Sequence, residues 1–221
     1  MLSLLRYNFL LPTFGTWLSF FLAIPIFYSL MIPPIFIYIV FVTTIILSYF
    51  YTDLRARSTM YIASLPVKLA AIVRGRYVSV SLISLCLLFY QWGWGVVISN
   101  LFGIGVYVYT WKDILVLSML AVLIVTLVTP IYYAVKSFLM ATGIVLIGYF
   151  LAVFYSLKPL TDVLGMDNYV IFNELDAGFV LVVEKYVPFQ PFVTLGIAVL
   201  VLLFLSIKLS ERLFIKKQRI T

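Results

Sequence analysis

A polytopic α-helical membrane protein is the fold class that this sequence predicts, and three observations carry the prediction. Hydrophobic residues fill 65% of the 221 positions and charged residues only 10%, with a mean hydropathy of +1.18; a soluble domain would be about a quarter charged. The apolar residues gather into stretches of about 20, the length that crosses a hydrocarbon layer of about 30 Å as a helix. The charges fall between those stretches. The chain is expected to be all-α, a single transmembrane domain over 1–221 with six transmembrane helices.

The elements follow in order. Residues 1–12, MLSLLRYNFLLP, carry one cation and a broad apolar face, and are expected to lie as a short helix in the membrane interface. Spans follow at 13–31, 34–52, 77–98, 114–133, 137–155 and 191–209. The first is read as a retained span: it exceeds a typical signal-peptide h-region, and no small-x-small cleavage site follows it. Pro33-Pro34 ends it and opens the second span, and the absence of charge between Tyr7 and Thr52 makes the two a helical hairpin. Pro25 and Pro130 are expected to kink the first and fourth spans.

Orientation rests on the loops. Twelve of fifteen cations fall in 1–12, 53–76, 134–136 and 208–221, leaving only Lys112, Lys158 and Lys185 on the other side. Counting positive charge puts both termini in the cytoplasm of a multi-pass chain. Six of eight acidic residues lie on the opposite side, which favours six spans over five or seven. The external loop 156–190, with its apolar runs NYVIF and GFVLVVEKYVPF, is expected to fold as a short interfacial or re-entrant helix pair, a lid over a transport path. Residues 210–221 form a basic cytoplasmic tail.

Several chemistries are missing. Histidine is absent, which removes the key group of metal-dependent proteases, Ser-His pairs and His proton relays. The lone Cys86 can make neither an internal disulfide nor a zinc site and is expected to fill the core. No G-x-x-x-x-G-K-[ST] loop cradles phosphate. No catalytic residue, metal or cofactor is assigned to the chain, and no nucleic-acid partner. Nor does any ionisable residue fall inside the six span cores, which argues against a proton- or sodium-coupled carrier.

The most informative stretch is SLPVKLAAIVRGRY at 64–77, within a basic segment 53–76. Five cations at about 2.5–3.5 kcal/mol each, on the order of 15 kcal/mol together, forbid it from spanning. Its apolar residues, among them Tyr61 and Leu65, are too many for a free solvated loop. Pro66 should end one short helix near Ser64, which can cap a second running into the third span. Arg74 and Arg76 are expected at headgroup level with Tyr77 as an aromatic anchor. Two readings stand: the cations bind anionic lipid and set topology, or the elbow docks on a cytoplasmic partner.

The segment DLRARSTMYIASLPVKLAAIVRGRY resembles the loop between spans two and three of ABC-2-type transporter permeases of Gram-positive bacteria. The resemblance lies in Asp53, Ser64, Leu65, Pro66, Val67, Ile72, Val73, Arg76 and Tyr77; Leu69 and Ala70 are more apolar than that pattern. It covers about 25 residues, while hydropathy and length agree over the whole chain. It implies a six-helix ABC-2 (type V exporter-like) permease in the bacterial cytoplasmic membrane, with 53–76 coupling to a separate cytoplasmic ABC ATPase. That partner would bind the ATP and Mg, and a second permease subunit would complete a homo- or heterodimer in the lipid. Asp53, Arg55, Arg57, Met60, Tyr61, Ser64, Leu65, Pro66 and Lys68 would form the coupling surface. Size further resembles exporters of amphipathic peptides, such as phenol-soluble modulins or lantibiotics.

Two further patterns remain open. Ser137, Ala141, Gly148 and Ala152 form a small-residue stripe that suits close packing within the subunit or across a dimer seam. Thr44, Ser48 and Tyr51 could line a pathway, or the hydroxyls could bond back to their own helix carbonyls. Trp17, Trp92, Trp94 and Trp111 read as interfacial belt residues. The competing functions are a substrate-binding membrane subunit of a vitamin importer and a non-transporting immunity or sensor protein.

Overall fold

Proline, capping residues and chain polarity set the boundaries of the helices. The computed structural model describes residues 14–30, 32–56, 68–102, 107–165 and 175–220. They form seven helices: α1 (Phe14–Ser29), α2 (Pro34–Ala56), α3 (Leu69–Phe102), α4 (Trp111–Ala134), α5 (Phe138–Leu164), α6 (Leu175–Tyr186) and α7 (Pro191–Ile220). No strand occurs among the described residues. A spanning helix satisfies its backbone polar groups within its own segment, as lipid requires.

Pro34 opens α2 at the first helical position, where its missing N–H costs nothing. Thr110 and Asp113 make a reciprocal capping box at α4, with the Thr110 N–H donating to Asp113 Oδ2 at 2.7 Å. Ser137 caps α5, and Gly165 ends it at φ 68, a left-handed conformation natural to glycine.

Among the described residues five helices, α2 to α5 and α7, are long and apolar enough to cross a membrane. Over the stretch expected to be the first span, α1 comprises 16 described residues and borders residues outside the described set. The interfacial helix expected at 1–12 lies outside the described residues. The third span and the residues before it are one helix from Leu69, of 34 residues. Two other elements outrun their expected bounds. α5 continues through Pro159 to Leu164, and among the described residues of 156–190 a helix of 12 residues, α6, follows; the NYVIF run of the expected helix pair lies outside the described residues. The tail 210–221 is helical to Ile220, continuous with α7.

Consecutive long helices run antiparallel, so their ends gather in two sets. Asp53, Arg74 and Arg76 meet Glu211 at one end, and Pro34, Gln91 and Tyr109 meet at the other. α4 is central and packs against α2, α3, α5, α6 and α7. The core runs along helix stripes at i, i+3 and i+4: Ile35, Tyr38, Val42, Ile45 and Tyr49 on α2, and Val73, Tyr77, Val80, Ser84, Leu88 and Gln91 on α3. Core hydroxyls are satisfied internally, as with Ser84 Oγ donating to the Val80 carbonyl at 2.8 Å and Thr126 Oγ1 to that of Val122 at 2.7 Å.

The outer surface is apolar. Leu139 is 81% and Phe150 72% exposed on α5, and α7 presents Ile197, Leu200, Phe204 and Leu205. Cys86 belongs to this outer surface and not to the core as expected. Burial habits of free thiols come from water-soluble proteins; in lipid an apolar thiol loses nothing by facing outward.

α6 closes against α5 through Gly178, where an added Cβ would lie 3.0 Å from Leu160 Cδ2 and 3.3 Å from Leu164 Cδ1. Gly178→Val should cost about 1–3 kcal/mol through overpacking. Gly143→Ala, with nothing within 4 Å, should cost nothing. Thermal unfolding midpoints of the two variants check this.

Candidate coupling site

Helical geometry makes the start of α3 a junction. Residues turn by about 100° per position, so Arg74, Arg76 and Tyr77 leave the helix toward different neighbours. Arg76 reaches α2, where its Nη2 lies 3.0 Å from Asp53 Oδ2, with the two side chains 4% and 13% exposed. The guanidinium also sits 4.9 Å above the Phe50 ring. Phe50 in turn stacks on Tyr132 of α4 at 4.6 Å and meets Tyr133 edge-on at 5.4 Å. A charge pair so far from water is held by geometry; removing one partner leaves an uncompensated ion.

Arg74 reaches α7, its Nε donating to Glu211 Oε1 at 2.5 Å, and Lys208 approaches the same carboxylate at 3.9 Å. The Tyr77 hydroxyl lies between Ser206 Oγ at 2.7 Å and Ser210 Oγ at 2.8 Å, and Ser206 Oγ donates to the Thr126 carbonyl of α4 at 2.6 Å. Four long helices are thus tied together within one turn of α3.

The sequence from residue 4 to 215 matches the family described as "ABC-2 family transporter protein". The chain belongs to the ABC-2 transporter family. No curated protein and no solved structure was found to match it. It is accordingly the membrane permease component of an ABC transporter, and the family implies a partner that supplies the ATPase.

In this ABC-2 permease the junction brackets the segment resembling the coupling loop. Asp53 does not face outward with the expected coupling surface; it turns inward to Arg76. Arg55 is exposed in the last turn of α2, and Lys68 is exposed just before α3. Arg57, Met60, Tyr61, Ser64, Leu65 and Pro66 lie outside the described residues. Arg76 and Tyr77, expected at headgroup level, are both buried, because each has a partner on a neighbouring helix. Phe50, Tyr132, Ser206, Ser210 and Glu211 escaped the sequence reading. Glu211 alone left a signal there, as the single acid in a strongly basic tail.

The other residues singled out from sequence do not assemble with the junction. Thr44 Oγ1 donates to the Val40 carbonyl at 2.7 Å and Ser48 Oγ to that of Ile45 at 2.9 Å. Tyr51 is exposed, its ring 5.8 Å from that of Phe138. The small-residue stripe divides: Ser137 caps α5 by accepting the Met140 N–H, Ala141 is buried, and Gly148 and Ala152 face outward. Inward contact of α5 is made instead by Val145 and by Tyr149, whose hydroxyl lies 2.7 Å from Thr43 Oγ1.

Arg76→Met should destabilise the permease by about 3–5 kcal/mol, and adding Asp53→Leu should restore much of the loss by removing the stranded charge. Denaturant titration of the two variants against the parent reads the difference.

Proposed function

We propose that this ABC-2 permease is the transmembrane subunit of an ATP-driven exporter that moves an amphipathic peptide, an antimicrobial or a lipid-like cargo. Both termini would lie in the cytoplasm of a bacterium. The junction at Arg74, Arg76 and Tyr77 carries this reading. A motor pushing on 57–67 acts on the two helix ends that flank it, α2 and α3. Those ends are bonded to each other and, through Tyr77, Ser206 and Glu211, to α4 and α7. Displacement of the segment would therefore move four helices and not one loop.

The cargo class follows from what lines the helices. Ionisable residues of the described spans lie near helix ends, as with Asp53 and Arg55 on α2 or Lys112 and Asp113 on α4. The middles offer aromatic and aliphatic surface, which suits a bulky apolar or amphipathic molecule and gives no counter-charge for a coupled ion. The outward faces of α5 and α7 are wide enough for lipid and a second permease subunit, making a homo- or heterodimer of twelve spans on two ATPases that bind ATP and Mg.

Tyr61→Asp combined with Leu65→Asp should abolish co-purification with the ATPase while the permease keeps its thermal midpoint. Retained co-purification would refute the coupling assignment. In inverted vesicles carrying both components, an amphipathic peptide should accumulate in the lumen only with ATP.

A further inference from the structure

At the end of the bundle away from the junction, α6 covers the helix ends with one residue foreign to an apolar cover. Asp176, in its first turn, is 3% exposed. Its Oδ1 accepts the Ile35 N–H at 2.7 Å, in the first turn of α2 and 141 positions away in sequence. Its Oδ2 has no hydrogen-bond partner. The carboxyl lines a small cavity with Tyr109, Asp113, Val116, Leu117 and Phe179. One side chain thus joins the covering helix to the turn of the first hairpin.

The charges around it are one-sided. The N-terminus of α2 favours an anion through the helix dipole and the Ile35 N–H. Against that stand burial and the second carboxylate, Asp113, held by the Tyr107 hydroxyl at 2.9 Å and by Thr110. The hydroxyls of Tyr28 on α1 and of Tyr107 and Tyr109 before α4 are close enough to sense the charge. No cation compensates it among the described residues. Lys112 pairs with Glu184 at the exposed rim at 2.7 Å, and Lys185 donates to the Asp162 carbonyl at 3.2 Å. On α5, Lys158 and Asp162 are exposed, and the first turns of α7 carry no titratable group. Glu174 lies outside the described residues.

We propose that Asp176 is a proton-operated latch: protonated, it keeps α6 seated over the N-terminus of α2, and ionised, it loosens that seat. Burial, the larger cause, together with the Asp113 carboxylate, pushes the seated carboxyl up to about 7 from an ordinary 3.8. Seated α6 therefore holds a proton that released α6 gives up. Seating is strongest below the ordinary value, weakens as pH rises toward about 7, and changes little above it. The latch is a property of the fold and stands whatever the cargo and its direction.

Spin labels at Leu181→Cys on α6 and Leu127→Cys on α4, both exposed positions, in a Cys86→Ser background test it by pulsed EPR on the full chain in nanodiscs. The distance distribution should be narrow at pH 4.5 and broaden, or gain a second population, by pH 8.0. Asp176→Asn should keep the narrow distribution throughout, and Glu184→Gln, which breaks only the rim pair, should respond as the parent does. A pH-independent distribution in the parent overturns the proposal whether or not Asp176→Asn folds. So does an unchanged response in Asp176→Asn, or a response lost in Glu184→Gln.

Discussion

The buried ion pair between Asp53 and Arg76 is the constraint around which the basic end is built. Two ions removed from water must find each other and must also find polarizable or hydrogen-bonding company for what remains of their charge. The chain supplies that company from three helices, with Phe50 beneath the guanidinium and Tyr132 and Tyr133 behind the ring. The aromatic stack thereby fixes where α4 ends relative to α2. The adjoining Arg74 and Tyr77 then fix α7, so the register of four helices follows from residues within one turn of α3.

Opposite ends of the same helices are joined by different chemistry. The basic end uses full charges in mutual compensation. The other end uses backbone groups and neutral polar side chains: Gln91 donates to the Pro34 carbonyl and Asp176 accepts from Ile35. Its buried carboxylates, Asp113 and Asp176, gather without a balancing cation among the described residues, and the Lys112–Glu184 pair stays at the exposed rim. A bundle made this way is stiff where force is expected to enter and adjustable where it is covered.

Helices were legible in the sequence because lipid allows few alternatives: long apolar runs and Pro33-Pro34 nearly dictate α2, α4 and the turn before α2. Ends were less legible. A hydropathy pattern stops at the edge of the oil, whereas α3, α5 and α7 continue past it because nothing in their sequence breaks the helix, Pro159 notwithstanding. The junction was half visible. Asp53 and Arg76 were singled out for their place in a motif, but their pairing depends on how α2 and α3 lie side by side, which no local spacing encodes. Cys86 and Tyr77 show the opposite failure: rules for which residues are inside presume water outside, and in lipid the apolar thiol goes out while the tyrosine, needing partners, goes in.

The unbroken length of α7 has a mechanical meaning. Thirty residues make a rod of about 45 Å, some 15 Å longer than the hydrocarbon layer. Glu211 grips that rod about two-thirds of the way along, where Arg74 meets it. Beyond this fulcrum the helix continues for about two turns, with Phe214 still buried against Tyr133 and Arg212 and Lys216 exposed one above the other on a single side. A tilt about this point moves the embedded arm, about 30 Å long, roughly twice as far as the outer arm of about 13 Å, so a small swing outside answers to a larger one within.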